Sequence, residues 1–148
     1  MPQSLAKLYI HIIFHIKSTS VPIRKQDAHE LYAYIGSIIN SADSIPIMIN
    51  GMEDHIHILC ALSKNISLAK LIEKIKSSSS KWIKEKDNYY HHFAWQGGYG
   101  GFSVSPSLYD KTTQYVLKQG EHHRRLTFKE EYLLFLKEYN IQYDENYL

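Results

Sequence analysis

Residues 50–62 constrain the fold more than any other part of the chain. They open with Asn50-Gly51, a turn signal, and run on as Met52-Glu53-Asp54-His55-Ile56-His57-Ile58-Leu59-Cys60-Ala61-Leu62, a segment of strand composition. Side chains alternate between the two faces of a strand, so Ile56, Ile58, Cys60 and Leu62 share the face that a core takes. His55 and His57 share the other. Two imidazoles one strand repeat apart can converge on one divalent metal ion. A half-exposed strand can also carry two histidines with no ligand between them, and spacing alone does not separate the two.

The rest of the chain supplies partners for this strand. Leu8, Ile10, Ile12, Phe14 and Ile16 alternate with Tyr9, His11, Ile13 and His15, which predicts a first strand. His11 and His15 fall on its non-core side and are expected on a solvated face, beside the His55/His57 face if the strands pair. Asp27 reads as an acidic cap before a helical stripe of Ala28, Leu31, Ile35, Ile38, Ile39 and Ala42. Ile45-Pro46-Ile47-Met48-Ile49 is a short strand in which Pro46 favours the first residues or an edge. Asn50-Gly51 is expected to turn the chain into the histidine strand. Ser67 caps a second helix with Leu68, Leu71, Ile72, Ile75, Trp82 and Ile83 on its apolar stripe. Lys70, Lys74, Lys76, Lys81 and Lys84 occupy the remainder, as a solvated face or as phosphate contacts. A loop rich in aromatics and glycine leads to a last strand, Phe102-Ser103-Val104-Ser105.

The predicted order β-α-β-β-α-β is that of an α+β, ferredoxin-like (split βαβ) antiparallel sheet with both helices on one face. The opposite face is left open. Ser105 and Pro106 suit the N-cap and first position of a further helix through Tyr109, Thr112, Tyr115, Val116 and Gln119, which Gly120 can end. A capping box, Thr127 to Glu130, opens a final helix with Tyr132, Leu133, Phe135 and Leu136. The reading is one domain, 1–148, with a ferredoxin-like core over 1–105 and a helical extension over 106–148.

Composition narrows the classes. With 148 residues, 44% of them hydrophobic, the chain can bury one real core. A formal charge of +2 excludes a uniformly basic nucleic-acid coat, while 17 Lys+Arg leave room for a local basic footprint. The single cysteine, Cys60, excludes an internal disulfide and sits at a core parity, as a buried thiol does. No signal peptide or membrane-span run is apparent, so the cytoplasm is expected.

Four stretches resemble one family in order and at suitable spacing. These are Ser4-Leu5-Ala6-Lys7-Leu8-Tyr9, the histidine strand, the segment from Trp95 to Ser105, and the segment from Gln114 to Tyr132. Together they look like the single-tyrosine HUH transposases of the IS-two-hundred/six-hundred-and-five type. The resemblance implies that His55 and His57 bind metal, that Tyr115 is the nucleophile, and that the Gln119 amide completes the metal site. Positions i and i+4 share a helix face, which is compatible with Tyr115 and Gln119 approaching one site. Nothing in composition singles out Tyr115 among 12 tyrosines.

The implied chemistry is attack of a tyrosine oxygen on a DNA phosphodiester, giving a phosphotyrosine link and a free 3′-hydroxyl. Two imidazoles and one amide are all neutral ligands, so weak metal binding is expected before DNA arrives. Mixed N/O ligation suits Mn²⁺ or Mg²⁺. Glu53 reads as a nearby acid or a solvated strand end, Asp54 as a turn residue or one that supports the site, and no residue is evident as the base for Tyr115. His122, His123, Arg124 and Arg125 form a basic cluster that suits DNA phosphate or simple solvation. The resemblance further implies single-stranded DNA with hairpins as substrate. It also implies a homodimer whose active site is completed by the partner subunit's tyrosine helix. Alternatives are a domesticated relative acting on repeated palindromic DNA, or a non-catalytic single-strand nucleic-acid-binding module.

Overall fold

The structure, a computed structural model, describes residues 2–122 and 125–148. Alternating apolar patterns form an antiparallel sheet of β1 (Leu8–His15), β2 (Ile45–Met52), β3 (His55–Leu62) and β4 (Gly100–Val104), in spatial order β2-β3-β1-β4. Helices α1 (Lys25–Ser41) and α2 (Leu68–Lys86) cover one face. There Ile12, Phe14, Ile56, Ile58 and Cys60 meet Leu31, Ile35, Ile39, Leu71, Ile72 and Ile75 in one dry core. This is the ferredoxin-like α+β arrangement that the sequence predicts. Burial pushes the Cys60 thiol up to about 12, so it stays protonated and inert.

The second face is not open. The chain continues into a single 3₁₀ turn (Pro106–Leu108), α3 (Tyr109–Leu117), the short α4 (Gln119–His122) and α5 (Phe128–Glu138). Val116 of α3 packs on Leu59 and Val104, and Tyr132 and Leu136 of α5 pack with Ile13 and Phe102. Strand β3 is therefore covered on both sides, and His55 and His57 are fully buried. The apolar residues at His parity, Ile13 and Leu59, already signal such a cover. His11 likewise lies buried instead of solvated, while His15 is half-buried.

Local signals were redirected in four places. Asn50-Gly51 is not the turn: β2 runs on to Met52, and Glu53-Asp54 make the reversal. Gly51 serves close strand approach instead, because a Cβ there would meet the His55 carbonyl oxygen at 2.2 Å. Asn50 spends its side chain elsewhere, donating from Nδ2 to the Leu117 carbonyl at 2.9 Å and so satisfying an end of α3. Asp27 is not a cap: α1 starts at Lys25, and the Asp27 carboxylate accepts from Tyr90 and Arg24. Ser105 does not cap either, since its hydroxyl pairs with Ser107 at 2.9 Å. By contrast, Ser67 accepts from the Lys70 amide, and the Thr127/Glu130 capping box is complete.

Candidate active site

Three elements converge on the second face. Strand β3 presents His55 and His57, the α3–α4 junction presents Tyr115 and Gln119, and α5 presents Glu131. The helix expected to reach Gln119 ends at Leu117, with Lys118 outside helical geometry. Gln119 nonetheless stays one turn beyond Tyr115, its Nε2 3.5 Å from the Tyr115 carbonyl oxygen.

The donor atoms point at one another. His57 Nε2 lies 2.8 Å from Glu131 Oε1, and His55 Nε2 lies 3.7 Å from the same oxygen. Gln119 Oε1 is 3.1 Å from His55 Nε2. The nearest ligand atoms of His55, His57 and Glu131 all fall within 4.8 Å of one another. All three residues, and Gln119, are buried. A buried carboxylate and imidazoles grouped this tightly are costly to hold without a charge partner.

The donor set fits a divalent cation. His55 has Asp54 Oδ1 at 2.6 Å from Nδ1 and Gln119 Oε1 at 3.1 Å from Nε2. A neutral imidazole has one N–H for these two oxygen acceptors. With the Nδ1–H given to Asp54, the Nε2 lone pair faces the Gln119 and Glu131 oxygens, an arrangement that a cation among them suits. Two nitrogens with a carboxylate and an amide oxygen suit Mn²⁺ or Mg²⁺ over a thiophilic metal. The set also differs from expectation: with Glu131 it is no longer neutral.

Tyr115 is half-buried and donates its hydroxyl to Glu131 Oε2 in a very short contact. Burial, followed by the hydrogen bond to Glu131 and that carboxylate's charge, raises the phenol well above its ordinary value. The two Glu131 oxygens thus face different partners, Oε1 the histidines and Oε2 the tyrosine. Phenyl rings wall the cluster: Phe128 stacks on His55 at 4.5 Å, and Phe135 lies edge-on to Tyr115 at 5.6 Å between ring centroids.

Glu131 is the residue that sequence reasoning missed. Its signal was an acid on an apolar stripe: it lies three residues after Phe128 and four before Phe135, both of which face the sheet. Asp54 is a turn residue and also supports the site, its Oδ1 lying against His55 Nδ1, while Glu53 is an exposed turn residue. The lysines lie on α2, on the other side of the sheet from the histidines. Lys70, Lys74, Lys81 and Lys84 are exposed, whereas Lys76 donates to the Gln96 carbonyl at 2.8 Å and lies over the Phe14 ring. Arg125 lines a cavity of about 360 Å³ with Asp54 and Phe128, next to the site. His123 and Arg124 lie outside the described residues.

The ferredoxin-like sheet thus carries a buried His-His-carboxylate cluster with a tyrosine against it. Residues 4–119 match the family model for IS200-like transposases, and the chain belongs to that family. Glu131 lies beyond the matched residues. No protein of curated function matches the sequence. Among solved structures, a Deinococcus radiodurans chain described as a transposase is 18% identical, with a TM-score of 0.61, over 80% of this chain and 98% of that one. A REP-associated tyrosine transposase bound to a REP hairpin is 10% identical, also at 0.61, over 83% of this chain and 73% of that one. At these identities the two show a shared fold. Among the described residues no helix is long and apolar enough to cross a membrane.

Proposed function

We propose that this transposase cleaves and rejoins single-stranded DNA through a covalent phosphotyrosine at Tyr115, assisted by a divalent metal. The observation that carries the proposal is the contact of Tyr115 with Glu131, whose other oxygen faces His57. Glu131 Oε2 accepts the phenolic proton, supplying the base that the sequence left unnamed. The freed tyrosine oxygen attacks phosphorus, the P–O3′ bond breaks, the departing 3′ oxygen takes a proton from water, and Glu131 returns its proton to solvent. Reversal by another 3′-hydroxyl rejoins DNA with no ATP, because a phenol is the better leaving group.

His55, His57, Glu131 and Gln119 would hold the cation, Mg²⁺ or Mn²⁺. When bound, it polarises the phosphate oxygens and offsets their charge. A carboxylate in the set favours binding before DNA arrives, so the weak metal affinity expected from neutral ligands gives way to a stronger one. Phe128 and Phe135 exclude water and hold the imidazoles in place.

Arg125 would meet DNA phosphate at the mouth of the site, with Arg124 beside it in sequence. Lys70, Lys74, Lys81 and Lys84 would meet a second stretch of backbone behind the sheet, with Lys76 steadying the 96–98 loop. The substrate is DNA with hairpins, and the working unit a homodimer. Within one chain Tyr115 already touches its own Glu131. Completion by the partner's tyrosine helix would therefore require an exchange, which mixing Tyr115→Phe and His57→Ala subunits tests by restored activity. A domesticated role on repeated palindromes is the second reading, favoured by the structural likeness to a transposase bound to a REP hairpin.

The test is incubation with Mn²⁺ or Mg²⁺ and single-stranded DNA from the ends of the protein's own locus, followed by a denaturing gel. A protease-sensitive protein–DNA adduct should form, vanish with EDTA, and fall by on the order of 10⁴-fold or more in Tyr115→Phe. Hairpin binding without any adduct would leave a binding module in its place.

A further inference from the structure

The metal-centre reading places a demand on His57 that strand β3 alone does not meet. A histidine that ligates through Nε2 carries its proton on Nδ1, and in a dry site that proton needs an acceptor. The atom 2.8 Å from His57 Nδ1 is Nε2 of His11. Sheet register puts it there. Ile13 pairs with His57 and His11 with Leu59, so His11 sits diagonally across from His57 on the same face. Its ring is 2% exposed, among Phe102, Phe135 and Tyr115. A side chain serving only to fill that space would do so more cheaply as a hydrocarbon, with no polar nitrogens to desolvate.

We propose, on the basis of the metal-centre reading, that His11 is a positioning residue. It accepts the Nδ1–H of His57 and so holds that ring in the tautomer and orientation whose Nε2 lone pair points at Glu131 and the cation position. The two ligand histidines are oriented by different means. His55 leans on a half-exposed carboxylate, Asp54, at 2.6 Å, and His57 on a buried imidazole. The difference has a physical reason. A neutral imidazole accepts at Nε2 while keeping its own proton on Nδ1, and it adds no net charge. A second carboxylate at that depth would repel Glu131.

The experiment titrates Mn²⁺ by calorimetry into metal-free wild type, His11→Gln and His11→Phe. Circular dichroism and melting curves confirm the fold of each. Alongside, long-range ¹H–¹⁵N correlation of ¹⁵N-histidine-labelled wild type, saturated with Mg²⁺, reports which nitrogen of His57 is protonated. His11→Phe should bind Mn²⁺ about 10- to 100-fold more weakly. His11→Gln, whose carbonyl oxygen can still accept, should recover most of that loss, and His57 should carry its proton on Nδ1. A folded His11→Phe that binds as tightly as wild type overturns the role of His11 while leaving the metal centre standing. So does a His57 protonated on Nε2 in the Mg²⁺-saturated protein, and that spectrum decides the matter if His11→Phe fails to fold. Wild type that takes up no Mn²⁺ overturns the metal centre, and the role of His11 with it.

Discussion

Both faces of the sheet are covered by helices, and they are chemically opposite. Under α1 and α2, Ile12, Phe14, Leu31, Ile35, Ile56, Ile58 and Ile75 form a hydrocarbon core. A buried acid, Asp27, sits at its margin with Tyr90 and Arg24 as donors. Under α3 and α5, the centre is His11, His55, His57, Gln119 and Glu131, walled by Phe102, Phe128 and Phe135. The first face yields stability with each methyl group it buries, at about 1.5–3 kcal/mol per large side chain. The second spends part of its packing on keeping polar groups dry and aimed. Alternation makes this division possible, because neighbouring residues such as Ile56 and His57 serve different layers.

The sharpest way to break the contrast is at Glu131. Glu131→Gln removes the charge and keeps the shape, so Mn²⁺ affinity should fall at least about 100-fold by calorimetry. The melting temperature of the metal-free protein should hold or rise, because a buried carboxylate no longer has to be desolvated. An unchanged affinity would show that the charge of α5 plays no part in the site. The mirror experiment is Leu31→Ala on the apolar face. It should cost about 2–5 kcal/mol in denaturant unfolding, through lost burial and a cavity. Mn²⁺ affinity of the folded variant should stay at the wild-type value. A matching loss of affinity would mean that the two faces are coupled through the sheet.

Acid should separate the faces more gently. Burial first, then repulsion from His57, lowers His11 to about 3, with Glu131 opposing. The unfolded chain, with an ordinary value near 6.5, therefore binds a proton that the folded protein refuses. Stability from His11 is complete above about pH 6.5 and falls as pH drops towards 3, by up to about 1.4 kcal/mol per pH unit. Asp27 acts lower. Burial alone would raise its carboxyl, but the hydrogen bonds from Tyr90 and Arg24 outweigh burial and hold it below the usual value. Its contribution is present above the unfolded carboxylate range and is lost as pH falls through the depressed folded value. Urea unfolding of metal-free protein should thus show His11→Gln flattening the slope between pH 6 and 4 (approximate limits set by the ordinary His and Asp values). Asp27→Asn should alter only the limb below it. Identical profiles for the two variants would refute the assignment.

What could be read in advance followed from local periodicity. Alternation over Leu8–His15 and His55–Leu62, helical stripes in α1 and α2, and the Ser67 and Thr127 caps are all properties of neighbouring residues. They sufficed for the ferredoxin-like sheet and for His55 and His57 sharing one side. The resemblance added Tyr115 and Gln119, and the structure brings both to the histidines. The burial of His11, the covering of the second face, and the arrival of Glu131 depended on how α3 and α5 close over the sheet. Asn50 shows the limit most simply. Asn-Gly is a turn signal when only its neighbours count, yet its amide is taken by the Leu117 carbonyl 67 positions away in sequence. The sequence by itself determined which face each residue of β3 would take, because the pleat has period two. Only the tertiary structure decided that the histidine face would be dry and meet a carboxylate, because that pairing joins residues 74 positions apart through the docking of a helix.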